Sequence, residues 1–151
     1  MFQRMDHVAM SVKDMDKTIA FYRDIIGMKK IYDRQFDTGM AKLLGIPKAS
    51  VRIVHLTLGD CFLELFHYTD PEGKEPETAR RQSDFGLTHI GFMVSDFWGT
   101  YNHLKRRGVA FVGEPVEFRP GVFVAYFYGA EYEVCEIREI APSPSVTESP
   151  R

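Results

Sequence analysis

The chain has 151 residues, 44% hydrophobic and 26% charged, with a formal net charge of −2. That suits one globular domain, or two small halves sharing a core. The signs are interspersed, and the run Lys105, Arg106, Arg107 reads as the solvated end of a helix, so no basic stripe is offered to a nucleic acid. No apolar run approaches the ~18 residues of a membrane span, and "MFQRMDHV" lacks a signal-peptide core. A cytoplasmic protein with no nucleic-acid or membrane partner is expected. Cys61 and Cys135 lie in apolar segments without a CxxC spacing, and are expected to be buried free thiols of a reducing compartment.

"MDHVAMSV" alternates as a strand does, and "KDMDKTIAFYRDIIG" follows with helical spacing at Met15, Ile19, Tyr22 and Ile26. Asp14 is the N-cap candidate and Gly27 the stop. Residues 28–34 read as a strand, and "DTGMAKLLGIPKAS" as an irregular connection. "VRIVHLTL" and "CFLELFHY" read as two strands joined tightly through Gly59 and Asp60. A polar connector, residues 70–84, follows, with one helical turn expected around Glu77–Arg81.

The pattern then recurs. "LTHIGFMV" is a strand and "SDFWGTYNHLKRRG" a helix capped by Asp96 and closed by Gly108, with strands at "VAFVGEPVEF", "VFVAYFY" and "YEVCEIREI". A shift of 82 positions lays His7 on His89, Val12 on Val94, Asp14 on Asp96 and Thr18 on Thr100; a shift of 72 lays Glu64 on Glu136. Two copies of one βαβββ unit follow, module one at 4–69 and module two at 85–140 of a single domain 4–140. The tail 141–151, with its prolines and no periodicity, is expected to be disordered.

Alternation along each strand separates two faces. Val8, Met10 and Val12 pack on a helix, which turns His7, Ala9 and Ser11 the other way. The same parity sets His89 and Gly91 opposite Ile90 and Phe92, Glu64 opposite Leu63 and Leu65, and Glu136 opposite Cys135 and Ile137. Two buried carboxylates without partners would be costly. Two imidazoles and two carboxylates converging on one divalent cation remove that cost, and suit Zn, Ni, Co, Mn or Fe better than calcium.

"MDHVAMSVKDMDKTIAFYRDIIGMK", "CFLEL", "LTHIGFMVSD" and "YEVCEI" together resemble the vicinal oxygen chelate superfamily of glyoxalase I, methylmalonyl-CoA epimerase, extradiol dioxygenases and bleomycin-type resistance proteins. The resemblance covers roughly residues 4–140. It implies an α+β fold in which paired βαβββ modules form a curved, barrel-like mixed-sheet cup with helices outside. It also implies that His7, Glu64, His89 and Glu136 occupy the metal-ligand places, and that the protein is a homodimer acting on a small molecule. The ligand set is nearest that of glyoxalase I, a lactoylglutathione lyase that moves a proton through a metal-stabilised enediolate. By that resemblance Glu136 is the catalytic base and Glu64 its symmetry-related counterpart. An epimerase of the methylmalonyl-CoA type is the nearest alternative, followed by an extradiol-type dioxygenase and a non-catalytic binding protein.

Two departures from glyoxalase I count against glutathione as a cosubstrate. Tyr32 stands where bacterial members carry an arginine, and "YGAEYEVCEI" lacks the usual Pro and second Gly before the last ligand. Substrate contacts are expected from His55, Phe62 and Tyr126, with Arg119 in "EFRPG" as an anion clamp. His67 and His103 are expected to be solvent-facing.

Overall fold

The computed structural model describes residues 1, 3–75 and 82–140. The turn expected at Glu77–Arg81 and the tail 141–151 lie outside the described residues. The chain divides into two compact units, Met1–Asp84 and a second beginning at Phe85.

The first unit runs β1 (His7–Ser11), α1 (Met15–Phe21), β2 (Lys29–Phe36), α2 (Ala41–Leu44), β3 (Ser50–Leu58) and β4 (Cys61–Asp70). Its sheet order is β1-β4-β3-β2, with β1 parallel to β4 and the other pairs antiparallel. The second runs β5 (Ile90–Met93), α3 (Phe97–Arg106), β6 (Val116–Arg119), β7 (Val122–Tyr128) and β8 (Val134–Ile140). It repeats the topology as β5-β8-β7-β6. The α+β class and the paired βαβββ units anticipated from the repeat are the observed architecture.

Local chemistry explains these elements. Asp14, with extended backbone, accepts a hydrogen bond from the Lys17 amide at 3.0 Å, and Asp96 does the same for Gly99 at 2.9 Å. Each cap satisfies an amide that the first helical turn leaves without a partner. After Phe21 the first helix continues as one π-turn, Tyr22–Ile26, and stops at Gly27 with φ 90°, a left-handed conformation that favours glycine. Gly59 turns the β3–β4 hairpin at φ 63°, leaving Leu58 opposite Cys61.

The core of the first unit joins Met15, Ile19 and Tyr22 to Val54, Leu56, Leu63 and Leu65; that of the second joins Phe97, Tyr101 and Leu104 to Ala125, Phe127, Cys135 and Ile137. Thr18, polar and fully buried, donates its hydroxyl to the Asp14 carbonyl at 2.8 Å, so its burial leaves no unmet donor.

Several expectations are corrected. The strand expected over 109–118 is interrupted by Gly113 and Pro115, which leaves a single bridge from Phe111 to Phe127 before β6 begins. The connection after β2 contains the one-turn helix α2, too short to show a helical period. Cys61 is free but exposed, because it opens β4 directly after the hairpin, whereas Cys135 is free and buried. His67 is half-buried: its Nδ1 lies 3.1 Å from the Val12 carbonyl, where the backbone leaves β1. His103 is also half-buried, on α3. No helix among the described residues is long and apolar enough to cross a membrane.

Candidate functional site

In the first unit the parallel register sets His7 beside Phe62 and Ala9 beside Glu64. His7 Nε2 lies 3.4 Å from Glu64 Oε2, and His55 Nε2 lies 2.9 Å from Glu64 Oε1. One carboxylate is thus reached by two imidazoles from strands on either side of β4. The rings form a column across the sheet. Tyr32 stacks on His55 at 4.6 Å, His55 on Phe62 at 4.6 Å, and Phe62 on His7 at 4.8 Å, with interplanar angles of 24–26°. Offset stacks of this kind stabilise beyond their buried area and fix ring planes.

The second unit repeats half of this. His89 immediately precedes β5, Gly91 pairs with Glu136, and His89 Nε2 lies 3.4 Å from Glu136 Oε2. A Cβ added at Gly91 would meet Glu136 Oε2 at 3.1 Å, so the glycine leaves room that the carboxylate fills. Tyr126 pairs with Glu136 as His55 pairs with Glu64. Burial pushes the Tyr126 phenol above its ordinary range, and the Glu136 charge adds to that.

The remaining ring nitrogens are matched as well. His7 Nδ1 is 3.2 Å from Asp6 Oδ2, and His89 Nδ1 is 3.0 Å from Thr88 Oγ1. In each unit the residue just before the histidine engages Nδ1. When Nδ1–H donates to that neighbour, the Nε2 lone pair faces the glutamate, as outer-shell partners of metal-bound histidines arrange it. Asp6 and Thr88 were not picked out from the sequence, although they obey the same 82-residue shift as the histidines.

The donor set fits a divalent transition metal. Two ligand atoms at ~2.1 Å from one ion, ~90–109° apart, stand about 3.0–3.4 Å from each other. Both His–Glu pairs have a 3.4 Å separation. Among the described residues no group of three or more His, Cys, Asp or Glu side chains is placed to hold a metal ion; each unit supplies a pair.

Of the residues expected to touch substrate, His55 and Phe62 flank Glu64, and Tyr126 flanks Glu136. Arg119 does not join them. It is exposed at the end of β6, opposite Val122, about 13 Å along β7 from Tyr126 at ~3.3 Å per residue. A residue not singled out from the sequence is nearer. Arg138 lies two positions beyond Glu136 on β8, and its Nε is buried with no hydrogen-bond partner among the described residues. A buried, unsatisfied donor costs about 1–3 kcal/mol.

The family model described as the Glyoxalase/Bleomycin resistance protein/Dioxygenase superfamily matches residues 4–129. A 2-epi-5-epi-valiolone epimerase from Actinomyces sp is 30% identical over 155 residues, covering 94% of this chain and 84% of the relative. A glyoxalase family protein from Bacillus cereus has the same fold, with a TM-score of 0.84 at 22% identity, over 92% of this chain and 95% of that one. The fosfomycin resistance protein FosX from Listeria monocytogenes, solved with Mn(II) and sulfate, aligns with a TM-score of 0.63 at 18% identity, over 92% and 93%.

Proposed function

Because the chain belongs to the Glyoxalase/Bleomycin resistance protein/Dioxygenase superfamily, we propose that it is a divalent-metal-dependent isomerase of the epimerase kind, moving a proton at a carbon next to a carbonyl. The observation that carries this reading is the matched pair: an imidazole Nε2 and a carboxylate oxygen 3.4 Å apart in each βαβββ unit. In the proposal the pairs His7 with Glu64 and His89 with Glu136 supply the ligands for Ni, Zn, Co, Mn or Fe, in a cytoplasmic homodimer. Such an ion polarises a substrate oxygen as a Lewis acid and so acidifies the neighbouring C–H.

The two glutamates differ in a way that assigns their roles. Glu64 is held by His55 at 2.9 Å in addition to His7, which suits a fixed ligand. Glu136 has its one ionic partner among the described residues in His89 and occupies the room that Gly91 leaves. Glu136 therefore takes the proton from one face of the carbon, while His89 keeps the carboxylate oriented, and inversion is completed by a solvent-derived proton that reaches the opposite face. Tyr126, a phenol that is protonated at physiological pH, lies beside that carboxylate as a hydrogen-bond donor to substrate.

Epimerisation is preferred to lactoylglutathione lyase chemistry on two grounds. A relative that is 30% identical over most of both chains is an epimerase, whereas a glyoxalase I of the same identity is covered over 36% of its length. Tyr32, at the place of the glutathione-binding arginine, is built into the ring column against His55. Elemental analysis of the purified protein tests the metal: near-stoichiometric transition metal is expected, and its loss in a His7→Ala plus His89→Ala variant. An unchanged metal content in that variant refutes the site. A metal-loaded screen of 2-epi-5-epi-valiolone, acyl-CoA thioesters, hemithioacetals and catechols then tests the reaction. Solvent deuterium should enter the carbon beside the carbonyl, and Glu136→Gln should stop it while metal stays bound. Wild-type exchange in that variant would remove Glu136 as the base.

A further inference from the structure

Arg138 supplies a charge that the metal reading does not use. The strand alternates Cys135 and Ile137 into the core with Glu136 and Arg138 on the opposite face. Glu139 confirms the parity from the other side, because its Oε2 accepts from the Phe97 amide at the start of α3 at 2.7 Å. Arg138 and Glu136 therefore share the site face, about 7 Å apart along the strand. The register neighbours of Arg138 are Met93 on β5 and Val124 on β7, neither of which can accept a strong hydrogen bond. No ion pair among the described residues includes it, and its Nε is buried without an acceptor.

Comparison of the two units isolates the feature. Val12 donates to the Phe66 carbonyl at 2.8 Å, and Val94 donates to the Arg138 carbonyl at 2.9 Å, so these two positions are equivalent in the repeat. Where unit one carries an apolar Phe66, unit two carries a guanidinium. Arginine cannot shed its charge, and its Nε/Nη edge matches the two oxygens of a carboxylate or phosphate. A charged donor kept near a reacting carboxylate with no acceptor for its Nε among the described residues is suited to an acceptor that arrives with the ligand.

We propose that Arg138 binds an oxyanion, carboxylate or phosphate, carried by the substrate, so that this chain acts on anionic carbonyl compounds rather than neutral ones. The inference deepens the isomerase reading and rests on it for the position of the reacting carbon. The Nε is buried, so binding turns the Arg138 side chain about its own rotatable bonds to present the Nε/Nη edge. The flexible Met93 side chain, two-thirds exposed, is the neighbour that makes way.

The test uses metal-free protein, so that it does not depend on metal loading. Inorganic phosphate and malonate are titrated separately while the Arg138 Nε–H resonance is followed by ¹⁵N NMR, assigned by its absence in Arg138→Lys. A saturable shift with either anion is expected, and the tighter of the two identifies the group. Calorimetry should show at least a tenfold loss of that affinity in Arg138→Gln, a smaller loss in Arg138→Lys, and no change in Arg106→Gln on the α3 surface. No Nε–H shift with either anion, or equal affinity in Arg138→Gln and wild type, overturns the proposal. The His7→Ala plus His89→Ala variant separates the two readings. It should lose metal and keep the anion-induced shift, so failure of the metal site and failure of the anion site appear in different measurements.

Discussion

His55 holds Glu64 from the neighbouring strand, Nε2 to Oε1 at 2.9 Å, on the side of the carboxylate away from His7. The bond leaves Oε2 for His7 and, in the proposed site, for a metal. Outer-shell partners of this kind commonly contribute 10–100-fold to metal affinity. His55→Phe should keep the ring stack with Tyr32 and Phe62 and remove the hydrogen bond. A metal affinity lower by about tenfold or more, with a melting temperature close to wild type, is expected from calorimetric titration and thermal melts. Unchanged affinity would reduce His55 to a packing residue.

Gly91 offers a sharper geometric test. A methyl group there would stand 3.1 Å from Glu136 Oε2, while the equivalent position of unit one, Ala9, already carries one. The carboxylate end must move by a few tenths of an ångström, which the core barely registers. Gly91→Ala should shift the melting temperature little. It should lower turnover, because small displacements of a reacting group are costly. An equal-activity Gly91→Ala enzyme would show that Glu136 does not need this room.

Stability at acid pH depends on a different cluster. Arg52 grips Asp33 through two bonds of 2.9 Å, Lys30 adds one of 2.7 Å, and Arg52 reaches on to Asp16 at 2.8 Å. The Arg52 guanidinium holds the Asp33 carboxyl well below the usual carboxylate range. A carboxylate with a depressed folded-state pKa stabilises above its unfolded pKa of ~4 and loses that contribution as pH falls through the folded value. Asp33→Asn should therefore cost about 1–3 kcal/mol at neutral pH, measured by urea denaturation. The gap between variant and wild type should narrow as pH drops below ~4. A gap that is constant with pH would assign the loss to packing.

The repeat makes much of this legible in the amino-acid sequence. Equivalent positions 82 and 72 apart fixed both His–Glu pairs because strand parity and a shared topology leave little freedom. What the sequence concealed depended on neighbours that are distant along the chain. His55 meets Glu64 through antiparallel register across a hairpin, and periodicity showed only that it shared a face. The half-burial of His67 depends on a carbonyl 55 residues away. Arg138 lies in an ordinary-looking "CEIREI", and only the lack of an acceptor for its buried Nε sets it apart. Arg119, expected in a loop, is the last residue of β6 and is exposed.

The ring column of unit one has no full counterpart in unit two, and that asymmetry can be tested. Phe62 lies between His7 and His55, at 4.8 and 4.6 Å, so one side chain fixes both imidazoles that reach Glu64. In unit two His89 meets, among the described residues, the ring of Tyr126, at 5.1 Å and tilted by 60°. Phe62→Leu keeps apolar volume but removes both stacks, each worth about 0.5–1.5 kcal/mol beyond area burial. A stability loss of about 1–3 kcal/mol is expected, together with broadened His7 and His55 ring resonances and an unchanged His89. Tyr126→Leu should act in the opposite sense, disturbing His89 and leaving His7 and His55 in place. If Phe62→Leu disturbs all three rings equally, the column is not an independent device of the first unit, and the two His–Glu pairs respond as one structure.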